Sequence, residues 1–83
     1  MDARLLKQFV NLADSLHFGR ASEASHVSPS ALSRAIQRLE NEVGAILFAR
    51  NNRSVSLTHA GSLFTLEKKL ASPLINAFWS QLK

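Results

Sequence analysis

The stretch VSPSALSRAIQRLE, Val27 to Glu40, decides the fold. Leu32, Ile36 and Leu39, followed by Val43, recur at spacings of four, three and four, the apolar stripe of one helix face. Ser30, Ser33, Arg34, Gln37, Arg38 and Asn41 occupy the remaining surface, which holds no acid before Glu40. Ser28 before Pro29 marks the start, because serine caps a helix and proline is favoured at its first position. Gly44 marks the end, since glycine readily takes the left-handed C-cap conformation. The sequence therefore predicts a helix over 28–43 with an apolar back and a front that carries guanidinium groups.

Upstream of it, RASEASH follows Gly19, which punctuates the chain, and reads as a second helix of about two turns. Its small residues Ala21, Ser22, Ala24 and Ser25 let a neighbouring helix approach closely. The two helices are joined by about four residues around Val27, the spacing of a helix-turn-helix. Further upstream, DARLLKQFVNLADSLHF places Leu5, Leu6, Phe9, Val10, Leu12, Ala13 and Leu16 at helical spacing, with Asp2 as a candidate N-cap.

Downstream, AILFARNNRSVSLT changes period. Leu47 and Phe48, then Val55 and Leu57, read as two short strands around an Asn51–Ser54 turn, asparagine being tolerant of positive φ. A two-stranded hairpin is marginal alone and must pack on the helices, which makes the whole a winged helix. Thr58 caps a last helix whose seam is Leu63, Leu66, Leu70, Leu74 and Ala77, with Phe64, Ala71, Ile75, Phe78 and Leu82 beside it. So much apolar surface implies either folding back on the domain or, the reading favoured, a dimer interface. Pro73 interrupts that helix at a cost of roughly 3 kcal/mol, so a kink or break is expected near Ala71–Pro73, with Ser72 recapping a second piece. The fold class expected is mainly α: a winged helix-turn-helix over 1–57, then a linker or dimerisation helix over 58–83.

Composition narrows the function. The 83 residues hold no cysteine, which excludes disulfides and thiolate metal sites. The longest apolar run, Ala45–Ala49, is far short of the ~20 residues that cross a bilayer. Asp2, Arg4 and Lys7 exclude a secretory signal, so no membrane role is expected and the default location is the cytoplasm, on the nucleoid. Net charge is +4 and the sequence pI about 10.4, a preference for polyanions. No acid stands between Glu42 and Glu67, while Arg50 and Arg53 lie close together there. His17, His26 and His59 have no metal-ligand spacing, and six scattered carboxylates form no catalytic set, so neither an enzyme nor a metal site is expected.

The front of the 28–43 helix suits a DNA major groove, where the N-terminal end of a recognition helix meets base edges. Pro29, Ser30, Ser33 and Arg34 stand there, and the small Ala31 and Ala35 keep the helix slim. Arg34 can pair with guanine or anchor a phosphate, and Arg38 one turn on suits a phosphate. Arg53 at the hairpin tip can reach a backbone or a minor groove. Duller readings stay open: Arg34 and Arg38 can pair with Asn41 or Glu42, and Arg50 can pack its stem under the wing. The competing class is a winged-helix interaction module that docks an acidic partner, with Phe78 and Trp79 as anchors.

From Phe9 to Gly61 the chain resembles the N-terminal DNA-binding domain of LysR-type transcriptional regulators, through SALSRAIQRLE, the Gly44 cap, LFAR at Leu47–Arg50 and LTHAG at Leu57–Gly61. Within that family HFGRA, HVSPS and NNRSVSLT are most similar to regulators of isoleucine–valine biosynthesis genes. The resemblance implies a homodimer on an interrupted dyad of double-stranded DNA, paired through the linker helix at Leu63, Leu66, Leu70, Leu74 and Phe78. It implies base contacts at Pro29 and Ser30, backbone or base contacts at Ser33, Arg34 and Thr58, and Arg53 in the minor groove. Phosphate contacts are then expected from Arg34, Arg38, Arg50, Arg53 and Thr58. It also implies a C-terminal domain, absent from this chain, that binds a small-molecule co-inducer; this portion itself needs no cofactor. A tetramer of the full-length protein and RNA polymerase are further implied partners. Ser22 and Ser25 depart from the family, which has alanine and a large apolar residue there. A buried unpaired hydroxyl costs about 1–3 kcal/mol, so helix two packs loosely unless Ser25 finds a bond.

Overall fold

The computed structural model describes residues 3–71, which form four helices and a two-stranded sheet. Helix α1 spans Ala3–Ser15, α2 Phe18–Ser25 and α3 Pro29–Val43; strands β1 (Phe48–Arg50) and β2 (Val55–Leu57) precede α4 (His59–Ala71). The expected capping of α1 by Asp2 and the break at Ala71–Pro73 lie outside the described residues, as do Leu74 and Phe78.

Helix α3 follows its sequence pattern closely. Leu32, Ile36 and Leu39 are fully buried. The Ser28 hydroxyl accepts from the Ala31 amide at 3.1 Å, Pro29 takes the first helical position, and Gly44 closes the helix at φ 82°. Removing the cap in Ser28→Ala should cost about 1 kcal/mol, read as a small drop in the urea midpoint at unchanged slope.

Gly19, by contrast, does not punctuate the chain: it lies in the first turn of α2. The break falls two residues earlier, where Leu16 adopts φ 53° and His17 becomes the N-cap, its Nδ1 accepting from the Arg20 amide at 3.1 Å. The join to α3 is His26, Val27 and Ser28, with His26 left-handed at φ 58° and its amide donating to the Glu23 carbonyl. Ser25 is not orphaned: its hydroxyl accepts from Asn11 Nδ2 at 2.9 Å, so α1 holds α2 by a side-chain bond. Ser22 donates to the Gly19 carbonyl at 2.8 Å.

The hairpin pairs Phe48 with Leu57, Ala49 with Ser56 and Arg50 with Val55, antiparallel. Its turn is not made by a positive-φ asparagine. Asn51 instead turns its side-chain oxygen inwards, accepting from the amides of Arg53 at 2.8 Å and Ser54 at 2.9 Å, an Asx turn. The hairpin is anchored by the core. Phe9 of α1 meets Phe48 of β1 at 5.3 Å and Phe64 of α4 edge-on at 5.0 Å between ring centroids. Phe64 therefore belongs to the domain core and not to an outer seam. Leu63, Leu66 and Leu70, on the opposite side of α4, remain exposed.

Candidate nucleic-acid interface

The turn before α3 and its capped first turn bring Pro29, Ser30 and Arg34 to the surface at one end of the helix. Ser30 Oγ lies 3.2 Å from Ser28 Oγ, a hydrogen bond in which either hydroxyl can donate. The guanidiniums of Arg34 and Arg53 are exposed and make no ion pair among the described residues. Both are therefore available to an external anion. Arg38 is also exposed but leans on Glu42 at 3.6 Å, an (i, i+4) pair that solvent screens and that a phosphate can displace at small cost.

Two other residues of the expected set are engaged inside the domain. Thr58 donates its hydroxyl proton to the Ile46 carbonyl at 2.6 Å and accepts from the Gly61 amide at 3.0 Å, so it caps α4 and staples it to the loop before β1. Arg50 donates from Nη1 to Ser33 Oγ at 3.1 Å, sits 3.7 Å from Glu40 Oε1, and stacks over Phe18 at 5.1 Å. Glu40, 6% exposed, takes the Leu47 and Phe48 amides on its other oxygen at 2.7 and 3.1 Å. A carboxylate on α3 thereby pins the first strand of the wing to that helix.

Pro29, Ser33 and Arg50 meet in one open cleft of about 410 Å³ between α3 and the wing, lined also by Phe18, Asn51, Asn52 and Val55. Phe18, Glu40, Asn51 and Asn52 were not legible as site residues. Only the Asn-Asn pair carried a local signal, and it pointed to a turn. No group of three or more metal-binding side chains occurs among the described residues, and no helix there is long and apolar enough to cross a membrane.

Residues 3–62 match the family described as bacterial regulatory helix-turn-helix protein, lysR family. The HTH-type transcriptional activator IlvY of Salmonella typhimurium is 62% identical over 61 residues, 74% of this chain and 21% of that protein, so the chain spans about a fifth of that relative's length. Among solved structures, Vibrio fischeri DarR in complex with DNA superimposes with a TM-score of 0.82 at 34% identity, covering 99% of this chain and 28% of DarR. The CbnR DNA-binding domain in its DNA complex superimposes at 0.81 with 30% identity, covering 98% of this chain and 93% of that one.

Proposed function

Because the chain belongs to the lysR family of bacterial regulatory helix-turn-helix proteins, we propose that it is the sequence-specific DNA-binding part of a transcription regulator, acting as a homodimer on an interrupted dyad. The observation that carries this reading is two exposed guanidiniums without an ion pair among the described residues, Arg34 on the capped start of α3 and Arg53 at the wing tip. Helix α3 enters the major groove with Pro29, Ser30, Ser33 and Arg34 towards the bases, and Arg38 on a phosphate. Arg53 follows the backbone into the adjacent minor groove.

Two recognition helices must stand about 34 Å apart to meet successive major grooves, which gives the exposed Leu63, Leu66 and Leu70 of α4 their role in pairing two copies. The relationship to IlvY supports isoleucine–valine biosynthesis genes as the target. A co-inducer, if the whole protein uses one, binds outside these residues, and the site of action is the cytoplasm.

The test is fluorescence anisotropy on a labelled duplex with an interrupted T…A dyad and on its scrambled counterpart, across salt. The dyad should bind more tightly, with a log–log salt slope of several units. Arg34→Ala should cost about 1–3 kcal/mol on the dyad and relax selectivity, whereas Arg53→Ala should weaken both duplexes alike and reduce the slope by about one. Leu70→Asp, at a position 78% exposed, should remove the dyad preference while leaving the circular dichroism melt unchanged. Equal affinity for both duplexes at every salt, with an acidic peptide competing as well as DNA, would replace this reading with an acidic-partner module.

A further inference from the structure

The geometry points to Arg50 as a positioning residue: it clamps the wing to α3 and leaves the Ser33 hydroxyl as an outward-facing hydrogen-bond donor. The clamp joins three elements through one guanidinium. Phe18 of α2 lies under its plane, Ser33 and Glu40 of α3 take its two Nη groups, and Arg50 itself sits on β1 at the foot of the hairpin turn. Its side chain is 29% exposed and its partner carboxylate 6%. A phosphate that drew Arg50 away from Glu40 would leave a carboxylate only 6% exposed without its cation, a costly exchange.

The consequence for Ser33 is chemical. A serine hydroxyl has one proton and two lone pairs. One lone pair is occupied by Arg50 Nη1, and the proton is given to no group among the described residues. Ser33 half-faces the cleft between α3 and the wing, so that proton is available to an acceptor entering there. A phosphate oxygen, the N7 of either purine, the O6 of guanine or the O4 of thymine can take that proton. Lysine cannot replace this fork, because a single ammonium does not serve Ser33, Glu40 and the Phe18 face together.

This rests on the DNA-binding reading for its consequence but not for the clamp itself, and the experiment separates the two. Arg50→Lys, Arg50→Gln, Ser33→Ala and the double variant Arg50→Lys/Ser33→Ala of the full 83-residue chain are titrated on the dyad duplex across salt. Arg50→Lys should lose about tenfold in affinity with its salt slope unchanged, and the double variant should bind no worse than the weaker single one, the mark of one shared pathway. Multiplying losses would overturn the proposal. So would Arg50→Lys binding like the wild type while Arg50→Gln loses about 0.9 in slope, the signature of a direct phosphate contact. A second measurement needs no DNA: the NMR signals of Ser33 and of the Phe18 ring should move in Arg50→Lys. If the wild type shows no dyad preference, the DNA-binding reading fails and this measurement decides the clamp alone; unmoved Ser33 and Phe18 signals would refute it.

Discussion

Gly61→Ala should melt roughly 4–24 °C below the wild type. A Cβ at Gly61 would overlap the Leu47 carbonyl oxygen and stand 2.9 Å from Leu57 Cδ2. The first obstacle is backbone, so no rotamer change relieves it. Either α4 lifts away from the hairpin or β1 shifts, and both break the 3.0 Å bond from the Thr58 amide to that same carbonyl. Overpacking costs about 1–3 kcal/mol and the lost bond about 1 more, against about 1 kcal/mol gained in helix propensity. Each net kcal/mol lowers the melting point by about 4–8 °C in a domain of this size. Gly44→Ala is the control. Its φ of 82° disfavours a side chain, but nothing lies within 4 Å, so it should cost only about 1 kcal/mol. A Gly61→Ala melt equal to that of Gly44→Ala would show that the close approach is not rigid.

Glu40→Ala should be the most damaging change on α3, at about 3–5 kcal/mol by urea unfolding. The loss has two parts. The Leu47 and Phe48 amides would be left buried without an acceptor, and Arg50 would lose its carboxylate. Against a total stability of order 4–12 kcal/mol for a chain of this length, that is a large fraction. Glu40→Gln keeps an acceptor for the two amides and should recover about half. A Glu40→Ala midpoint close to the wild type would mean that water reaches those amides and the carboxylate is replaceable.

The sequence made α3 legible to the residue because each of its signals is local: a stripe at helical spacing, Ser-Pro at one end, glycine at the other. The start of α2 was not, because a histidine cap and a left-handed leucine at position 16 leave no compositional trace. Glu40 was hidden for a similar reason. It lies four residues after Ile36, on the edge of the apolar stripe, where an acid reads as the beginning of the solvated face. What it meets is seven and eight residues further on, around a turn. Arg50 and Thr58 were expected at phosphates, though Thr58 was also read as the cap of the last helix and Arg50 as able to pack under the wing. Their partners lie 17 and 12 residues away, at Ser33 and Ile46, beyond any periodic pattern. Arg34 and Arg53 were placed correctly on the surface, since a charge with no neighbour needs no long-range knowledge.

The junction at Thr58 has a mechanical meaning. Strand β2 ends at Leu57 and α4 begins at His59, and the one residue between them is bonded to Ile46 and Leu47, while Gly61 presses bare against the same backbone. No hinge remains there, so the hairpin and the outgoing helix turn together like the handle and head of a wrench. Thirteen residues of α4 make a handle about 20 Å long, and a tilt of 5° at its base moves the far end by about 2 Å. Run in reverse, a tilt applied at the far end is passed to the wing, and through Glu40 to α3.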